Sequence, residues 1–299
     1  MPSPTFLGIG VAKAGTTWLA AQMAQHPDVL FGQRKELLYY IREGKYARGR
    51  SWYEAQFTDG RADAPAVGEW TPRYFHTAPL ERPEGPARPR HRPHWPGAAE
   101  RVAADYGPDT GHDLRLLVVL RDPVSRAVSD LTHNVRHGFV PFTQSVYEAA
   151  RFRPAVLECS HYARNFECWF ELFPREAFLF LTYEEDIRPD EAKARTLRRV
   201  FEHLGVDPEF SPDGVDEPRN VGMSPFQLRR REMHPFLSAA MGLVPRSLRS
   251  HPRWDFPVPE GERDRLAETF AADVEYAERL LGRRLPWARP TTSRSGEDA

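Results

Sequence analysis

Two short apolar runs stand out along the chain, Thr5 to Gly10 and Leu114 to Leu120, and a third, Ala177 to Thr182, shares their character. Runs of this length without a polar face predict strands covered on both sides, as in a parallel sheet. Each is followed by apolar residues at helical spacing, over Thr16 to Gln25, Val124 to Arg136 and Ala192 to Leu204. Strands alternating with helices predict βαβ units, and hence an α/β fold of three layers with a central parallel sheet flanked by helices. Ser160 to Phe173 and Glu260 to Leu281 read as further amphipathic helices, and no internal repeat is evident.

The segment Ala78 to Pro96 is too rich in Pro and Arg for a helix or a central strand. Strand and helix signals flank it, so it reads as a surface loop within one domain spanning residues 1–288. Residues 289–299 read as a flexible tail. A chain of 299 residues suffices for one large α/β domain. The net charge of −1 supplies no general attraction to polyanions, so neither nucleic acid nor an anionic membrane is an expected partner. No apolar run approaches a membrane span, and the amino-terminal residues lack a basic leader, so the cytoplasm is the expected compartment. Cys159 and Cys168 fall nine residues apart in what reads as one helix, on opposite faces, so a bridge between them is not expected. Of the 41 basic residues only four are lysines, which draws attention to Lys13 and Lys35.

The candidate chemistry begins where the first strand meets its helix, in LGIGVAKAGTTWL, Leu7 to Leu19. A helix start presents unpaired N–H groups carrying partial positive charge, which suits an anion. Thr16 and Thr17 add hydroxyls, Gly15 lets the main chain approach, and Lys13 supplies a point charge. Lysine precedes Ala14 and Gly15 here, which is not the Walker order of glycine, lysine and hydroxyl residue. A second anion signal lies in LLVVLRDPVSRAVSDL, where an apolar strand ends in Arg121, Pro123 stops it, and the following helix carries Arg126 and Ser129. An arginine at the carboxyl end of a strand in an open α/β sheet sits where such sheets bind ligands. With the Ser129 hydroxyl it suits a phosphomonoester. Arg121 and Arg126 also fit a plainer reading as structural ion-pair partners.

Both segments resemble motifs of the sulfotransferases that use 3′-phosphoadenosine 5′-phosphosulfate, closest in style to the glycan (heparan-sulfate) and bacterial branch. The resemblance implies a P-loop-like fold in which the loop Lys13, Ala14, Gly15, Thr16 and Thr17 holds the 5′-phosphosulfate and Trp18 stacks on adenine. Arg121 and Ser129 match the two ligands of the 3′-phosphate. Phe178 to Ile187 is similar to a family segment whose tyrosine, here Tyr183, contacts adenine. Arg219-Asn220-Val221-Gly222 is the candidate for the late loop that closes over the 3′-phosphate, with Arg219 as its cation.

The resemblance implies transfer of a sulfuryl group to a hydroxyl of a small molecule, such as a secondary metabolite, leaving adenosine 3′,5′-bisphosphate and requiring no metal. Lys13 neutralises the bridging oxygen, and a homodimer is compatible with the reading. For the base, Glu36 in Lys35-Glu36-Leu37-Leu38-Tyr39-Tyr40 follows a His26-Pro27-Asp28 turn as in the glycan branch, and it equally fits a surface Lys–Glu pair. His133 and His76 are rival bases. One departure stands in Glu69-Trp70-Thr71-Pro72, where the glycan branch carries lysine at the position of Trp70. That leaves a weakened site, a replacement by Arg73, or an acceptor stacked on the indole. A P-loop-type small-molecule kinase and a non-catalytic nucleotide-binding protein are the alternatives.

Overall fold

A computed structural model describes residues 2–57, 63–76, 97–141, 143–216 and 258–289. The expected loop over 78–96, the candidate Arg219 and the tail after Arg289 lie outside the described residues.

In chain order the elements are β1 (Phe6–Gly10), α1 (Thr16–Met23), β2 (Val29–Phe31), the short helices α2 (Glu43–Tyr46) and α3 (Arg50–Glu54), β3 (Ala66–Trp70), α4 (Ala98–Tyr106), β4 (Arg115–Leu120) and α5 (Pro123–Arg136). There follow α6 (Val146–Phe152), α7 (Ala155–Glu158), α8 (Tyr162–Phe170), β5 (Phe178–Thr182), a π-type turn over Tyr183–Ile187, α9 (Asp190–Leu204), α10 (Glu262–Thr269) and α11 (Ala271–Leu281).

The five strands form one sheet in the order β2-β3-β1-β4-β5, every pair parallel. Helices flank it, as the alternation of strand and helix predicts: α1 packs against α9, α8 against α11, and α5 against α6, α7 and α10. β1 is fully buried, and β4 is buried from Leu116 to Leu120, which is why both read as unbroken apolar runs. Each such aliphatic side chain contributes about 1.5–3 kcal/mol over leaving it in water.

β2 and β3 are the strands that the apolar pattern does not announce. β2 has three residues, and β3 carries Gly68 and Glu69 in its middle. Gly8 of β1 explains how β3 is seated. A Cβ there would lie 2.1 Å from the Trp70 ring, so the indole packs directly onto the main chain of the central strand.

Two expectations are corrected. Cys159 ends α7 and Cys168 lies in α8, so they belong to different helices, and both are free thiols. The stretch expected as one helix from Glu260 breaks at Phe270, whose φ of −102° and ψ of 10° end α10 and whose ring is fully buried.

The direction of the connections changes at β1: the chain passes from β1 to the edge strand β2, returns through β3 beside β1, and then crosses to β4 and β5 on the other side. The loops that leave the carboxyl ends of β1 and β4 therefore face each other across the switch point, the usual ligand crevice of an open α/β sheet.

Candidate active site

The loop after β1 turns sharply. Lys13 has φ 74° and Gly15 has φ 80°, both in the left-handed region, and Gly15 opens α1 by accepting from the N–H groups of Trp18 (3.0 Å) and Leu19 (3.3 Å). A Cβ on Gly15 would stand 2.7 Å from Ile187 Cγ2 and 3.1 Å from Tyr183 Cδ2. The position thus requires glycine twice, for its backbone angle and for its room. No side chain caps α1 and no acidic residue lies in its first turn, so the amino end of the helix keeps its positive field.

Arg121, one residue past β4, reaches across the switch point. Its Nη1 donates to the Lys13 carbonyl at 2.6 Å, and its guanidinium stands 4.6 Å from the centre of the Tyr183 ring. The Tyr162 hydroxyl donates to the Arg121 carbonyl at 2.5 Å. Arg121 Nε is buried and has no partner. A buried donor left unpaired costs about 1–3 kcal/mol unless an acceptor arrives. The geometry therefore brings the Lys13–Gly15 loop together with Arg121 and Tyr183, which lie far along the chain from it.

Beyond Arg121, the Asp122 carboxylate caps α5 by accepting from the N–H groups of Val124 and Ser125. Ser129 is the seventh residue of that helix and is half-buried. Arg126, by contrast, is fully buried and structural: Nε donates to Ser160 Oγ at 2.5 Å, Nη2 to the Val156 carbonyl, and Nη1 faces Asp130 at 3.4 Å.

The electrostatics near Lys13 are set by α5. Burial lowers the Lys13 ammonium pKa, and the Asp130 carboxylate opposes that while Arg121 and Arg126 add to it. Asp130 lies below its ordinary value: burial would raise it, and the charges of Arg126, Arg73 and Lys13 more than offset that. Burial, with Lys13 and His137 nearby, drives His133 down to about 3, so its imidazole is neutral at physiological pH. His76 is pushed down to about 4, chiefly by burial, and its Nε2 is buried without a partner.

Glu36 lies on the other flank. Its side chain is 42% exposed and stands 3.7 Å from Lys35 Nζ. Lys35 Nζ in turn donates to Thr16 Oγ1 at 3.3 Å and Thr17 Oγ1 at 3.2 Å, so the Lys35–Glu36 pair sits beside the loop after β1.

Glu69 is given no role by the sequence motifs, yet it holds that pair in place. It is fully buried, and its carboxylate accepts from the Leu37 N–H (2.8 Å) and the hydroxyls of Thr71 (2.6 Å), Tyr74 (2.5 Å) and Tyr53 (3.2 Å). Thr71 Oγ1 and the Tyr74 hydroxyl accept from the N–H groups of Leu38 (3.2 Å) and Tyr39 (2.9 Å). Three successive amides after Glu36 are thereby pinned to the end of β3. Burial raises the Glu69 carboxyl to about 7 against the lowering pull of these donors. The sign in the sequence was a carboxylate within an otherwise apolar strand followed by Thr71 and Tyr74.

Trp70 is fully buried with its indole nitrogen unpartnered, which removes the reading that an acceptor stacks on it. Trp18 is 5% exposed, donates from Nε1 to the Val215 carbonyl at 2.9 Å, and has Lys193 Nζ 5.5 Å from its ring centre. His26 is a buried tie, its Nδ1 accepting from the Asp28 N–H at 3.0 Å and its Nε2 lying 3.0 Å from the Asp207 carbonyl.

With this geometry in hand, comparison with known proteins is informative. A family model for the sulfotransferase domain matches residues 3–217. Heparan sulfate glucosamine 3-O-sulfotransferase 3A1 of Mus musculus is 28% identical over 210 residues, 68% of this chain and 46% of that protein. Heparan sulfate glucosamine 3-O-sulfotransferase 6 of Homo sapiens is 27% identical over 305 residues, 95% of this chain and 73% of that protein. The chain spans about half the length of several of the curated relatives it matches. Among solved structures, a sulfotransferase from Alicyclobacillus acidocaldarius superposes with a TM-score of 0.62 at 24% identity, covering 95% of this chain and 98% of that one, and so shares the fold.

Proposed function

The chain belongs to the sulfotransferase domain family, and from that premise we propose that it transfers a sulfuryl group from 3′-phosphoadenosine 5′-phosphosulfate to an acceptor hydroxyl. The observation that carries the proposal is the junction across the switch point. Arg121 ties itself to the Lys13 carbonyl while keeping a buried Nε donor unpaired, beside a glycine-lined loop at an uncapped helix start. Those residues fit an elongated ligand with two anionic groups, one near each loop.

In this reading the amides at the start of α1, with Thr16, Thr17 and Lys13, hold the 5′-phosphosulfate, and Arg121 with Ser129 holds the 3′-phosphate. Tyr183 and Trp18 border the nucleoside. The donor supplies the activated sulfuryl group. The protein contributes alignment of donor and acceptor, charge neutralisation at the leaving oxygen by Lys13, and a base for the acceptor proton. Stabilising the charge that develops on a leaving group is ordinarily a large part of such catalysis.

Glu36 is the proposed base, because its carboxylate is open to solvent beside the loop and its backbone is held from the Glu69 side. His133, kept neutral by burial and by the nearby Lys13 charge, is the second candidate. The acceptor is proposed to be a hydroxyl-bearing small molecule. With Trp70 buried, the described residues supply no argument for an aromatic acceptor over a sugar.

The test is transfer from radiolabelled donor to a panel of simple alcohols, phenols and glycosides. Glu36→Gln is expected to keep donor affinity while turnover falls by about a hundredfold or more. Undiminished turnover in Glu36→Gln, with loss in His133→Asn, would move the base to α5.

A further inference from the structure

We propose that Lys35 is a donor-binding residue that reads the 5′ group of the nucleotide, so that the loop after β1 is served by two lysines. The inference rests on the reading of the site as a nucleotide-donor site, and deepens it.

Lys35 lies 19 residues beyond Thr16, outside the loop motif, yet its Nζ stands 3.3 Å from Thr16 Oγ1 and 3.2 Å from Thr17 Oγ1, the two hydroxyls that open α1. An ammonium carries three donors, and these contacts use neutral hydroxyl oxygens. Its carboxylate neighbour, Glu36, stands 3.7 Å away and is itself 42% exposed, a loose pair worth little in water. A cation whose side chain is only 25% exposed is thus directed at a helix start, with the exposed Glu36 carboxylate beside it at 3.7 Å. The burial that lowers its pKa is a cost that an anion on the loop would offset.

The backbone fixes this aim. The Lys35 carbonyl accepts from the Trp70 N–H at 2.9 Å, and the Leu37 N–H donates to Glu69 at 2.8 Å, so the residues on both sides of Glu36 are fastened to the end of β3. A side chain leaving a clamped backbone loses less freedom on meeting a ligand than one on a mobile loop. Trp70 and Lys35 are also neighbours through that hydrogen bond. Where the indole fills the strand end, the adjacent chain brings the ammonium to the loop. Arg73 is differently placed, its charge acting on Asp130 and His133 of α5.

The experiment compares two ligands that differ only in the 5′ group: adenosine 3′,5′-bisphosphate and adenosine 3′-phosphate, titrated into the full chain and its variants. Lys35→Met is expected to weaken the bisphosphate by about ten- to a hundredfold while changing the 3′-phosphate by less than about twofold. Lys35→Arg, which keeps the charge, is expected to recover most of the difference. Unchanged bisphosphate affinity in Lys35→Met, or equal loss for both ligands, would overturn the assignment. Failure of the wild-type chain to bind the bisphosphate would instead overturn the reading of the site itself.

Discussion

At the scale of single residues, the site depends on groups held in states they would not choose in water. Glu69 is the clearest. Burial raises its carboxyl from the ordinary 4.5 to about 7, so between those values the folded chain keeps a proton that the unfolded chain releases. Its contribution is fully present below about pH 4.5 and is lost as the pH rises through 7, amounting to about 3 kcal/mol. Thermal denaturation of the wild type should therefore show a midpoint that falls from about pH 5 to about pH 8. Glu69→Gln has no such titration, and its slope should flatten even though an amide disturbs the four donors around it. An unchanged slope in the variant would place the titrating group elsewhere. Arg126 makes the complementary point: the sequence allows it as a structural ion-pair partner, and in the fold it is a fully buried brace between α5 and α7.

At the scale of elements, the turns at strand ends do the positioning. Gly15 stands where the turn after β1 meets the π-type turn after β5, with φ +80° and no room for a methyl against Ile187. Gly15→Ala should cost stability by about 1–3 kcal/mol from backbone strain alone and displace the loop that faces Arg121. The measured consequence is a bisphosphate affinity lower by about tenfold or more; unimpaired binding would show that the loop tolerates the shift. The elements differ in how legible they were. β1 and β4 announced themselves because burial on both faces forces an unbroken apolar run, β5 by its apolar composition although Leu179 and Phe180 are only half-buried, and α5 because Pro123 stops the strand before it. β2 and β3 were silent, since three residues make no pattern and Glu69 interrupts the other; only long-range partners make a carboxylate acceptable there. For the same reason local sequence could not indicate that Lys35 meets Thr16 and Thr17, or that Trp70 is covered by Gly8.

At the scale of the whole molecule, the sheet order is what turns two separate sequence signals into one site. The loops after β1 and β4 are more than a hundred residues apart in the chain. They adjoin because β1 and β4 pair in parallel at the reversal of the strand order. Arg121 then closes the gap with its bond to the Lys13 carbonyl. A kinase on a similar sheet would present its lysine after the glycine turn, whereas Lys13 comes before Gly15. Both readings can be set against each other by calorimetric titration of the full chain with adenosine 3′,5′-bisphosphate, with ATP as the control and no added metal. The account predicts micromolar or tighter binding of the bisphosphate and far weaker binding of ATP. Binding of ATP with Mg²⁺, together with no heat from the bisphosphate, would contradict it.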